Sequence, residues 1–175
     1  MAELPEIALL GNPILRQAAR LVENVAEVDS LIDTLMAKVV ESQGVGIAAP
    51  QISQSLRLII VASYPNARYP HAPKMPPTVM INPDIVSHSQ NMVKGWEGCL
   101  SVPGIRGIVP RYSRIEVTYL NREGQFQQQS FTDFVARIIQ HELDHLNGIT
   151  FLDRVETSQN LVTEPEYQRR YLPSC

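Results

Sequence analysis

The chain has 175 residues, of which 44% are hydrophobic and 19% charged, and its formal net charge is −3. That length supports one domain with a real core, and the composition is that of a globular protein rather than a disordered or fibrous one. The acidic balance excludes the basic footprint of a nucleic-acid or anionic-membrane binder, and no apolar run is long enough to span a bilayer.

The N-terminal stretch MAELPEIALLGNPILR carries acidic residues where a secretory signal would be basic, and it lacks the Arg/Ser-rich pattern of a transit peptide. There are two cysteines, Cys99 and Cys175. A secreted disulfide framework would use more, so a reducing, cytoplasmic setting is expected. Cys175 is the last residue and reads as incidental.

Val28, Leu31, Ile32, Leu35, Val39 and Val40 recur at helical spacing. This predicts an N-terminal amphipathic helix over 28–43, stopped at Gly44, with a packing role only. GVGIAAPQ (44–51) is too glycine-rich for a helix interior and lacks the lysine and spacing of a phosphate loop. LRLIIVA (56–62) reads as a buried strand. Residues 64–77 contain five prolines and read as a loop. TVMINPDIV (78–86) suggests a strand interrupted at Pro83. SRIEVTYL and QFQQQSF flank NREG, which predicts a β-hairpin over 113–131.

TDFVARIIQHELDHLNG then predicts a second helix, with Thr132 or Asp133 at its N-cap and Gly148 just past its end. The tail 154–175 holds Pro165 and Pro173 and offers at most a short helix. Helix, strands, helix is the order of an α+β fold. The expected architecture is mixed and antiparallel strands packed around the second helix, in one domain spanning 1–175 with a short tail from 154.

On that helix His141 and His145 stack on one face, one turn apart, with Phe134, Ile138 and Glu142 sharing or bordering it. Val135, Ile139, Leu143 and Leu146 form the opposite stripe. A helix apolar on both sides is buried, and two buried histidines without partners are costly. A metal resolves that cost, and H-E-x-x-H has a known metal-binding mechanism. The plainer reading is two histidines satisfied by ordinary hydrogen bonds. Two histidines also leave a catalytic site incomplete, since such a site takes three protein ligands and a water. The third ligand could be a downstream acid, Asp153, Glu156, Glu164 or Glu166, or it could be Cys99. A thiolate suits Fe(II), Co(II), Ni(II) or Zn(II). Taken alone, Cys99 reads more naturally as a small buried residue, although the neighbouring glycine lets a backbone approach closely. Gln51 offers an amide donor that could face a developing oxyanion.

GVGIAAPQ, EGCLS and QHELDHLNG together resemble, in sequence, order and separation, the three signature motifs of peptide deformylases. GNPILRQAA near the N-terminus and INP at 81–83 are similar to the family too, so the resemblance covers roughly residues 9–153. It departs at the end, where many members carry a long C-terminal helix and this tail is short and proline-interrupted.

The resemblance implies removal of the N-formyl group from nascent polypeptides that begin with formylmethionine, with release of formate. Their synthesis places such substrates at the ribosome. By the same resemblance Cys99, His141 and His145 ligate one divalent metal, Fe(II) in the cell, with Ni, Co or Zn accepted in purified protein. Glu142 is the implied general base. Gln51 and the Leu100 N–H are the implied oxyanion donors. Asp144 is left to structure or a salt bridge. Gly46 and Gly98 flank the path of the substrate peptide. Val45, Phe134, Ile138 and the His141 ring form the methionine pocket, with Arg106 near its rim. Two other readings compete. An HExxH zinc endopeptidase would draw its third ligand from downstream and gives no reason for EGCLS. A non-catalytic structural metal module would need a fourth protein ligand, and His71 and His88 lack ligand spacing.

Overall fold

The computed structural model describes residues 4–172, so Cys175 lies outside the described residues. Its frame is a five-stranded antiparallel sheet. In chain order the elements are helix α1 (Asp29–Glu41), then strands β1 (Gly46–Ala48), β2 (Leu58–Val61) and β3 (Thr78–His88). Strands β4 (Met92–Cys99), β5 (Val102–Tyr112), β6 (Arg114–Leu120) and β7 (Phe126–Thr132) follow. Helix α2 (Asp133–Leu146), strand β8 (Leu161–Thr163) and helix α3 (Glu164–Tyr171) complete the chain. The large sheet has the order β1-β2-β3-β6-β7, and a smaller sheet the order β4-β5-β8.

Strand alternation explains why β2 is apolar throughout. Leu58 and Ile60 point to one face and pack with Ile32, Leu35 and Val39 of α1. Ile59 and Val61 point to the other and pack with Ile138, Ile139, Leu143 and Leu146 of α2. The sheet is thus covered on both faces, and α2 is buried nearly all round from Ile138 to Leu146. A third, smaller cluster of Cys99, Val102, Val109 and Phe151 ties the small sheet to the chain beyond α2.

The α+β architecture around the HELDH helix agrees with expectation; several boundaries and strands differ. The end of α1 is set by Gln43, which takes the left-handed backbone at φ 50°, not by Gly44. The Gly44 N–H then returns to the Val39 carbonyl at 3.0 Å. Pro83 does not interrupt β3. It sits in a register shift between Ile81 and Asp84, where Asn82 has φ 51° and its side chain bonds both the N–H and the carbonyl of Val22 at 2.9 Å. A bulge of this kind accommodates the missing proline donor. Strands β4 and β5 escape sequence reading because glycines and prolines punctuate them. Pairing with β8 is confined to Ile105, Arg106 and Gly107, so Pro103 and Pro110 lie where one side of β5 is unpaired. The tail holds the short helix α3 and, beyond expectation, strand β8.

Candidate active site

The second helix delivers its histidines as the spacing requires: the His141 and His145 rings lie 5.1 Å apart, nearly edge to face. Cys99 arrives from the C-terminal end of β4, at the tight connection where it pairs with Val102. Its Sγ is 3.2 Å from His145 Nε2. All three residues are buried, and one ligand atom from each lies within 4.8 Å of the others. The four downstream acids are engaged elsewhere: Asp153 with Arg16, Glu156 with Lys94, Glu164 with Arg106, and Glu166 with Arg170. His88 stacks on Tyr112 and joins no candidate metal cluster among the described residues. Asp144 bridges Arg111 and Arg154, a salt-bridge role.

The donor set fits a metal. One thiolate and two imidazoles are the soft and borderline ligands that transition ions take at about 2.0–2.3 Å, and three protein ligands leave a coordination position open. Burial opposes a charged Cys99, yet His145 and His141 overcome it and hold the thiol well below its usual range. Burial likewise opposes a charged His141, while Cys99 and Glu97 raise it well above the usual histidine value. Glu142 Oε2 is buried without a hydrogen-bond partner among the described residues, as is His145 Nδ1. Burial pushes the Glu142 carboxyl up to about 7. A base poised near neutrality beside a soft-ligand cluster is the kind of perturbed pair found at catalytic sites.

The cluster opens onto a small pocket that is half open to solvent. Val45, Gly46, Gln51, Gly98, Leu100, Phe134, Ile138, His141 and Glu142 all line it. Gly46 is required by packing as well: a Cβ there would meet Glu142 Oε1 at 2.7 Å and Ile138 Cγ2 at 2.8 Å. Gln51 Oε1 accepts from the Ala48 N–H at 2.9 Å, which turns the amide Nε2 towards Ser101 Oγ (3.2 Å) and Cys99 Sγ (3.6 Å). Arg106 lies elsewhere. It is fully buried behind Gly98, where a Cβ would come within 2.9 Å of its side chain. There it pairs with Glu164 of α3 and lies between the rings of Tyr69 and Tyr167. It supports the pocket wall from behind and does not line the rim.

With this geometry established, the comparisons with known proteins decide the family. The polypeptide deformylase family model matches residues 4–161. The chain belongs to the polypeptide deformylase family. It is 62% identical over 168 residues to peptide deformylase 2 of Nostoc sp., covering 95% of this chain and 94% of that one. It is 47% identical to peptide deformylase 2 of Shewanella oneidensis, over 91% of this chain and 89% of that one. Among solved structures, the Met-Ala-Ser-bound class I type b peptide deformylase of Acinetobacter baumannii superposes with a TM-score of 0.85 at 46% identity, covering 89% of this chain and all of that one. The protein is accordingly a hydrolase of protein biosynthesis that removes the N-formyl group from new polypeptides.

Within this deformylase, sequence reasoning missed Glu97, Ser101, Tyr69, Trp96 and Arg137. Glu97 is buried two residues before Cys99, and its Oε2 accepts from His141 Nδ1 at 2.8 Å. Arg111 and Arg137 pair with the same carboxylate. Burial opposes its charge, but Arg111 and His141 outweigh it, and Glu97 stays far below the ordinary carboxylate range. Its signal was legible in WEGCLS: a metal-ligating histidine needs an acceptor for its other ring nitrogen, and an acid beside the third ligand is well placed to provide it.

Proposed function

We propose that Cys99, His141 and His145 hold one divalent ion and that Glu142, Gln51 and Leu100 carry out deformylation around it. The observation that carries this reading is a buried Cys99–His141–His145 cluster facing a pocket beside an unpartnered Glu142 carboxylate. A bound divalent ion supplies Lewis acidity, lowering the pKa of an adjacent water and polarising the formyl carbonyl. Glu142 accepts the proton of the attacking water and passes it to the leaving amine nitrogen, so that formate and a free N-terminus are released. The Gln51 amide, fixed by Ala48, donates to the oxyanion that develops on the formyl oxygen. The Leu100 N–H, which has no described partner in the turn after Cys99, is the second donor.

β1 and β4 are edge strands, and Gly46 and Gly98 lie on them beside the pocket. An extended peptide can pair in strand fashion between these edges, which supports a nascent chain as substrate. The Met-Ala-Ser bound by the Acinetobacter relative has the form of a deformylated product, and the same placement is proposed for this chain. Substrates of this kind emerge at the ribosome, and a cytoplasmic location follows from that chemistry. Among the described residues no helix is long and apolar enough to cross a membrane.

The endopeptidase reading loses its basis because the downstream acids are engaged in ion pairs. A structural metal module would need a fourth protein ligand, and the cluster has three. Formate release from a formyl-methionyl peptide, beside an unformylated control, tests the function. Fe(II) is the proposed cellular metal. An oxidisable ion next to the Cys99 thiolate makes the enzyme sensitive to air, whereas nickel, cobalt and zinc forms remain stable, zinc being the slowest. The protein is stripped, reloaded with each ion under argon and assayed before and after exposure to air. Full activity with zinc, together with no air sensitivity with iron, overturns the iron assignment.

A further inference from the structure

We infer that Trp96 and Tyr171 form a subsite for the second side chain of the substrate and select a large apolar or aromatic residue there over a small one. The inference rests on the deformylase reading and deepens it.

The direction of the bound peptide follows from β4. That strand ends at Cys99, inside the metal-ligand cluster, and the chain turns back into β5 beyond it. A substrate whose formyl group meets the cluster and whose backbone pairs along the β4 edge therefore runs from Gly98 back towards Trp96. The open stretch of this edge is short. Arg137 occupies the Val93 carbonyl at 2.6 Å and reaches the Gly95 carbonyl at 3.4 Å, so the edge left to a peptide ends at Trp96.

Strand alternation then decides what each substrate side chain meets. Glu97 and Cys99 point to the face of β4 that carries α2, where they contact His141 and His145. On the deformylase reading the first side chain enters the pocket on that face, against Phe134 and Ile138. The second points to the opposite face, which bears Trp96. The Trp96 ring lines the same pocket and packs against α3, with its centroid 5.4 Å from Tyr167 and 4.8 Å from Tyr171. Tyr167 is buried and backs the ring, whereas Tyr171 is 51% exposed and extends its apolar surface. A long apolar side chain lying on this shelf leaves water and gains an aromatic contact, and a methyl group is too short to do either.

The test compares kcat/KM of the metal-loaded protein for formyl-Met-Phe-Ser and formyl-Met-Ala-Ser. The wild type is expected to favour phenylalanine by about 3- to 10-fold, the range of one aromatic contact, and W96A by about one. Y171A is expected to shrink the ratio with Trp96 still present. A general loosening of β4 lowers both substrates alike and leaves the ratio unmoved. A wild type without preference overturns the inference, as does an undiminished ratio in either variant; where W96A fails to fold, Y171A decides. Trp96 is the only tryptophan of the chain, so its fluorescence is a second readout. Unformylated Met-Phe-Ser is expected to shift the emission of the wild type and to bind with a lower Kd than Met-Ala-Ser. Unchanged emission at a saturation established by calorimetry, or equal Kd values, overturn the inference. Failure of every formyl peptide to yield formate would sink the deformylase reading, while the titrations still judge Trp96.

Discussion

Glu97 Oε2 accepts a hydrogen bond from His141 Nδ1 at 2.8 Å, with both side chains buried. The bond fixes the imidazole tautomer and leaves Nε2 for the site. Arg111 donates from Nε and Nη2 to the same carboxylate at 2.9 and 3.0 Å, which keeps Glu97 charged and still. Glu97→Gln should therefore weaken metal binding about 10- to 100-fold, the usual cost of losing such a support. Competition with a chelator measures this. Unchanged metal affinity beside a lowered melting temperature would reduce Glu97 to a packing role.

Glu142→Gln keeps the shape of the side chain and removes the proton acceptor. Turnover should fall by at least about 100-fold while metal content and fold are retained. Near-normal formate release by the fully loaded variant would remove Glu142 from the mechanism.

Gln51 is the test of the oxyanion. Its amide is oriented by the Ala48 N–H and is not free to turn away. Gln51→Leu should lower kcat about 10²- to 10³-fold, the range for losing one preorganised donor. An effect confined to KM would mean that Gln51 holds the ground state only.

Much of this site was legible in the sequence because two kinds of signal are local. Helical spacing alone puts His141 and His145 on one face with Glu142 at its border, and the apolar stripe of Leu143 and Leu146 states that the helix is buried. The cysteine ligand was open on residue chemistry alone, because Asp153, Glu156, Glu164 and Glu166 were equally eligible until their ion pairs were seen. Contacts between distant segments were not legible. The sequence says nothing of what Arg137 meets, and only the pairing of β4 with β5 places the Val93, Val109 and Gly95 carbonyls around it. Those strands were themselves hidden by glycines and prolines that serve close approach and edge positions. Arg106 shows the reverse error: a position near the motif suggested the pocket rim, and a long-range pair with Glu164 draws it beneath the wall.

Glu142 also gives the metal-free protein a distinctive dependence on pH. Burial raises its carboxyl from 4.5 to about 7 in the folded state. Below pH 4.5 the group is protonated whether the chain is folded or not, and it adds no difference. As pH rises above that value the unfolded chain releases its proton first, so the folded state is penalised increasingly until about pH 7, and the penalty is constant beyond. Stability of the metal-free wild type should therefore fall over this window, and Glu142→Gln should abolish that part of the slope. The gap between the two proteins should widen by up to about 3 kcal/mol across it. Urea unfolding of both stripped proteins from about pH 4.5 to pH 8 measures the gap, and a gap that does not change with pH would show that burial leaves this carboxylate unshifted. Reloading the wild type with metal should flatten the slope, because a cation beside Glu142 favours its charged form.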